Sequence, residues 1–375
     1  VYAALELGIG LLGIVVLVVL PYAGGLYAAI GGSGTGGLLL RALLAALCLL
    51  PPTILMGATL PAISREVRAT PEGMSYLGIL YGGNTLGAVI GCLVAGFVLL
   101  RNFDVVTATG VAVALNFVIA AVAWLMAGSR APVPEVAAER ATSKLPAGSW
   151  PVLLTLGLSG LTALGSEVVW TRILSLLLGP TTYTFSLILG GFLAGLGIGS
   201  SAGAFLARFI ANPRAALGWC QLLLVLALGW AAWSLTAALP YWPINPSLST
   251  APAYTFQIDI IRALWVVLPG ALLWGASFPL GLAALASRDD DPARLVGVAY
   301  AANTLGAIVG SLVTSLLLIG TIGTQNTQRV LIALAAISAL LTLALLVGEH
   351  GRLKLAPRGL LAGGGAALLG LWVIS

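Results

Sequence analysis

Tyr81-Gly-Gly-Asn-Thr-Leu-Gly-Ala-Val-Ile-Gly91 returns as Tyr300-Ala-Ala-Asn-Thr-Leu-Gly-Ala-Ile-Val-Gly310, 219 residues later. A second pair, Leu50-Pro-Pro-Thr-Ile-Leu-Met-Gly-Ala-Thr-Leu-Pro61 and Leu268-Pro-Gly-Ala-Leu-Leu-Trp-Gly-Ala-Ser-Phe-Pro279, is displaced by 218. Both pairs keep their order and direction, which marks an internal repeat. The two halves are therefore expected to be parallel, of the kind related by an axis along the membrane normal.

Composition places that repeat in a bilayer. Of 375 residues, 59% are apolar and only 8% are charged, and the mean hydropathy is +1.07. A soluble chain carries about 25% charge, so too few polar residues are present here to coat a water-facing surface. The expected fold class is an all-α polytopic membrane protein. Its 48 Gly and 19 Pro fit helices whose neighbours re-satisfy the backbone. The net charge of +5 is read as basic loops beside anionic lipid, not as a nucleic-acid surface. Cys48, Cys92 and Cys220 lie in apolar runs without metal-ligand spacing, and His350 stands alone in a polar connector. No metal site or cofactor is expected from them.

A crossing needs about 20 apolar residues. Eleven candidates fit, near 3–22, 38–62, 76–99, 104–127, 151–175, 182–207, 215–238, 261–285, 295–318, 327–347 and 357–375. With the first helix running outward, twelve Lys and Arg fall on the cytoplasmic side and five opposite, namely Arg41, Arg101, Arg172, Arg262 and Arg329. That bias sets the expected orientation, in a bacterial-type cytoplasmic (inner) membrane.

The repeat divides the chain into a first membrane copy at 1–127, a cytoplasmic linker at 128–150, a second copy of six helices at 151–347, and a connector with an extra helix at 348–375. The first copy holds four helices, because Glu6-Leu-Gly-Ile-Gly-Leu-Leu aligns with Gln221-Leu-Leu-Leu-Val-Leu-Ala and nothing matches residues 151–214. Either two helices have been lost from repeat one or the sequence begins inside it, the second being the expectation, and a six-plus-six plan resembles the major facilitator superfamily.

Candidate site residues follow from what a bilayer tolerates poorly. Glu167 and Arg172 each cost about 2.5–3.5 kcal/mol at a helix centre, so each should face protein or a cavity. Five residues apart, they lie roughly 140° round a helix, which is poor geometry for a direct pair. Glu167 reads as a carboxylate for a cation, as a proton-coupled switch, or as half of an ion pair locking two helices. Asn84 and Asn303 occupy matching repeat positions, where an amide bridges helices or lines a cavity. Pro51, Pro52 and Pro61, with Pro269 and Pro279, interrupt matching helices, which is a pointer to a transporter site and also to a static kink. Gly191, Gly195, Gly199 and Gly203, four apart, put small residues on one face for close packing. No P-loop, dinucleotide fingerprint or nucleophile triad occurs, so no catalytic residue is assigned.

Ser159-Gly160, Ser166-Glu-Val-Val-Trp170-Thr-Arg172-Ile-Leu174 and Tyr183-Thr-Phe-Ser-Leu-Ile-Leu-Gly-Gly-Phe-Leu-Ala-Gly-Leu-Gly-Ile-Gly-Ser200 resemble the membrane region of fused major-facilitator-like/spermidine-synthase-like proteins. The resemblance implies substrate-binding candidates at Glu167, Trp170, Arg172, Asn84 and Asn303. The catalytic domain that such proteins carry does not occur in these residues. Three readings stand at this point: a transporter-like domain for a small amine or cationic solute; a non-transporting scaffold or accessory subunit among other membrane subunits; and the anchor of an aminopropyltransferase-like enzyme.

Overall fold

Long apolar runs without charge cannot leave backbone groups unpaired in lipid, and they fold as helices. In the computed structural model, which describes residues 1–30, 34–64, 71–127, 149–242, 247, 251–285, 292–347 and 353–355, the helices are α1 (Tyr2–Ile30), α2 (Thr35–Ser64), α3 (Pro71–Val94), α4 (Leu100–Asn102), α5 (Val105–Ala127), α6 (Trp150–Leu178), α7 (Thr182–Ala207), α8 (Pro213–Trp233), α9 (Pro252–Leu285), α10 (Pro292–Val313) and α11 (Ile319–Ala344). Single π turns continue α3 at Ala95–Leu99, α8 at Ser234–Ala238 and α10 at Thr314–Leu318. Among the described residues, nine helices are long and apolar enough to cross a membrane. The last of these, Leu295–Leu343, leaves the helical path at Gly323, whose φ is +78°; the expected spans 295–318 and 327–347 lie on either side of it. After Ala344 the chain turns to strand, and Leu345–Val347 pairs antiparallel with Leu353–Leu355. The linker at 128–148, His350 and the expected span at 357–375 lie outside the described residues.

The chain divides into two compact units, Val1–Asn84 with Val94–Ala138, and Thr85–Leu93 with Glu139–Ser375. In the first unit α1 packs on α2 and α5. Gly10 admits the ring of Phe117 and Gly13 admits Val113, both from α5, while Gly8 faces Leu55 of α2. Helix α5 starts where it does because Asp104 caps it: its Oδ1 accepts from the Thr107 amide at 2.8 Å.

The second unit is built from helix pairs, α7 with α9, α6 with α10 and α8 with α11. The glycine face of α7 is what brings α9 close. A Cβ at Gly195 would meet that of Ala271, one at Gly199 would meet the Leu272 carbonyl, and one at Gly203 would lie 2.7 Å from the Ala276 Cα. The fit is reciprocal, since a Cβ at Gly275 of α9 would meet the Leu196 carbonyl of α7. Above this seam Trp170, Phe192 and Trp274 interlock, with ring centroids of Trp170–Trp274 at 5.5 Å and Phe192–Trp274 at 5.8 Å.

The crossing at Gly199 leaves no room for a side chain, and overpacking costs about 1–3 kcal/mol. Gly199→Leu should lower the unfolding midpoint in detergent, whereas Gly297→Leu, with nothing within 4 Å among the described residues, should leave it unchanged. The α5 cap adds a pH dependence. Hydrogen bonds from the Thr107 side chain and amide hold the Asp104 carboxyl below its ordinary value. A depressed carboxyl stabilises the fold above its unfolded pKa, about 3.9 for Asp, and that gain is lost as the pH falls through the folded value. Amide exchange at the start of α5 should therefore accelerate below that range, and Asp104→Asn should remove the pH dependence while keeping a cap.

Candidate functional site

Glu167 sits on α6 and is half-buried. It lies near the Cys92 thiol of α3, and that thiol reaches the Ser186 carbonyl of α7 at 3.6 Å. Neither Glu167 nor Arg172 has a hydrogen-bond or ion-pair partner among the described residues. Arg172 is exposed. Glu167 is therefore a half-buried carboxylate of α6 near Cys92 of α3, with no cation beside it among the described residues.

Trp170 has a different place. It is 2% exposed and packs against Trp274 and over Gly270, where a Cβ would lie 2.8 Å from its ring. With Ser166, Leu228, Gln328, Leu331 and Ile332 it also lines a cavity of about 10 Å³ between α6, α8 and α11. That volume holds roughly one water. The Gln328 Nε2 and the Thr314 Oγ1 are buried without a partner among the described residues.

Two polar contacts tie α6 to α9. Ser159 and Ser277 share a hydrogen bond between hydroxyls at 2.8 Å, and the Trp274 Nε1 donates to the Thr162 Oγ1 at 3.1 Å. The proline positions fit the same logic. Helix α9 runs through Pro269 and Pro279 without ending, as α2 runs through Pro51, Pro52 and Pro61. A proline frees the carbonyl four residues earlier. For Pro269 that is Trp265, whose oxygen accepts from the Trp230 Nε1 at 3.1 Å. The side chain of Pro61 lies outside the described residues.

Asn303, half-buried on α10, lies with its backbone carbonyl and its Oδ1 against Gly160 of α6. Asn84 is exposed on α3. The structure thus gathers Asn303 and Gly160 in one helix crossing, Trp170 in the core and Glu167 at a different seam.

One polar cluster lies across the start of the span expected from 261. Helix α9 begins at Pro252, so Asp259 and Arg262 are on the helix, 8% and 7% exposed. The Tyr183 hydroxyl of α7 donates to the Asp259 Oδ2 at 3.4 Å, and Phe256 lies against the Tyr183 ring. The Arg262 Nε is buried without a partner among the described residues. An Asp–Arg pair three apart inside an apolar run, following Ala251-Pro252, was the available signal.

Gln221 of α8 is fully buried, and both of its amide atoms lack a partner among the described residues. An unsatisfied buried polar group costs about 1–3 kcal/mol. Gln221→Leu, of similar volume, should raise the free energy of unfolding in detergent by that order, and a fall would show that the amide is engaged.

Among the described residues no group of His, Cys, Asp and Glu could hold a metal ion. No family model, curated protein or solved structure matches the chain.

Proposed function

We propose that these residues form a transporter-like membrane domain of the fused major-facilitator-like/spermidine-synthase-like kind, handling a small amine or cationic solute. Glu167 is the observation that carries this reading. A carboxylate in a membrane helix costs about 2.5–3.5 kcal/mol on insertion scales, and no described side chain of either charge neutralises it. A bound cation offsets that cost, and an amine adds hydrogen bonds that a carboxylate can accept. The parallel repeats support the same reading, with eleven crossings in a cytoplasmic membrane and the twelve-residue basic side facing inward.

A second reading, a non-transporting scaffold or accessory subunit, is favoured by how few charges the apolar spans carry, in a chain only 8% charged. In that reading Glu167 is met by a basic group of another membrane subunit.

Uptake of a labelled polyamine into vesicles reconstituted with the protein separates the two. Loss of one ion pair or charged hydrogen bond is worth about 1.5–3 kcal/mol, so Glu167→Gln should reduce uptake at least tenfold, with partial retention in Glu167→Asp. Unchanged uptake in Glu167→Gln would remove the transport reading, and co-purification of a basic membrane subunit lost in the same variant would install the second.

A further inference from the structure

A hydroxyl buried in an apolar helix can satisfy itself on a carbonyl one turn back. Thr162 does so on Ser159 at 3.1 Å, Thr327 on Gly323 at 2.7 Å and Thr342 on Ser338 at 3.1 Å. Around one point of α6 three polar side chains do not. Ser166 is 2% exposed and bonds to no described residue. Gln328 of α11 is 5% exposed, and its Nε2 is enclosed without a partner among the described residues. The Oγ1 of Thr314, where the π turn of α10 begins, is enclosed and unpartnered in the same way. A Cβ at Gly165 would lie 2.9 Å from that oxygen and 2.8 Å from Leu331. Ser166, Gln328 and Leu331 are walls of one cavity of about 10 Å³. Side chains from α6, α10 and α11 therefore converge near residues 165–166 without bonding one another.

Size and chemistry together select what fits there. A cavity needs about 10–15 Å³ to hold a water, and no organic solute enters so small a space. An apolar cavity stays dry, whereas a polar one offering two to four hydrogen-bond partners is hydrated. The Gln328 Nε2 presents a hydrogen, so the occupant must accept one, which a metal ion or an ammonium does not do. The Ser166 hydroxyl either donates or accepts. Water meets both demands.

We infer that this cavity is a binding site for one structural water, which accepts from the Gln328 Nε2 and bonds the Ser166 hydroxyl. The water ties α6 to α11. A direct tie between those helices exists at their other end, where the Thr155 Oγ1 donates to the Ser338 carbonyl at 3.4 Å. Residue 166 is about 16 Å further along α6, and there the described residues supply no direct polar contact between the two helices. Glu167 is the next residue but points about 100° away, so the site is independent of what Glu167 binds.

Solid-state NMR of the chain in lipid vesicles, with heavy nitrogen in the glutamine side-chain amides, reads the site by transfer of magnetisation from water. The Gln328 resonance, identified by its disappearance in Gln328→Leu, should receive that transfer, as should the exposed Gln325. Ser166→Val puts methyl groups in the place of the water, and the Gln328 signal should be lost while that of Gln325 is kept. Ser166→Ala removes one partner without crowding the core, and it should weaken the signal in a chain of unchanged elution volume. Glu167→Gln should leave the signal as it is. The inference is overturned if Gln328 receives no transfer in the unsubstituted chain, or if transfer is undiminished in both Ser166 variants. Loss of transfer in Glu167→Gln overturns it as well, because the water would then belong to the carboxylate.

Discussion

Between lipid-facing helices the hydrophobic effect supplies no attraction, since acyl chains are as apolar as leucine, so helices of this chain are held by what their backbones can reach. That makes close approach the constraint from which the second unit follows. Gly195, Gly199 and Gly203 let α7 lie on α9 at Ala271, Leu272 and Ala276, and Gly306 and Gly310 let α10 lie on α6. Dispersion contacts fall off within about an ångström of separation, so a single added methyl at these crossings removes many of them at once. The large aromatic residues fill what the glycines open: Trp170 reaches over Gly270 only because no Cβ stands there.

Once the backbones are this close, polar side chains can bridge them without long reach. Ser159 meets Ser277, and Trp274 reaches Thr162. Such bonds average only about 0.6 kcal/mol in membranes, and they fix the register of α6 on α9 more than they hold the two together. Pro269 belongs to the same scheme. By removing one amide it leaves the Trp265 carbonyl free, and the Trp230 indole of α8 takes it. The break in the helical ladder becomes a link between α8 and α9.

Much of this was legible in the sequence. Helical fold class and membrane character follow from the 8% charge and the long apolar runs, and the small-residue face of α7 could be read from four glycines at a spacing of four. Partners were not legible, because spacing gives a face and not what lies on it. Trp170 and Glu167, three apart in one quoted motif, read as members of one site, yet the structure gives Trp170 to the core and Glu167 to another seam. Asp259 and Arg262 fall at the edge of the apolar run, because charged residues lower the hydropathy by which a span's start is read. Their burial depends on Tyr183, 76 residues earlier, which no local window contains.

The geometry of α6 explains how one helix can both lock the unit and leave a carboxylate accessible. Ser166 and Trp170, four residues apart, stand one above the other on the face that closes on α8 and α11. Glu167 is turned about 100° from Ser166, on the side of α6 near Cys92 of α3, whose thiol reaches the Ser186 carbonyl of α7. The side of α7 next to that seam also carries Gly190 against Leu93 and Gly197 against Thr85, so α3 follows α7 closely on both sides of Cys92. Glu167 therefore stands about 60° round α6 from Trp170, at the edge of the face that closes on the tryptophan core. The tight side of α6, where Gly160 meets Asn303 and Gly157 lies against Gly306 of α10, fixes the position of the helix backbone from which Glu167 projects.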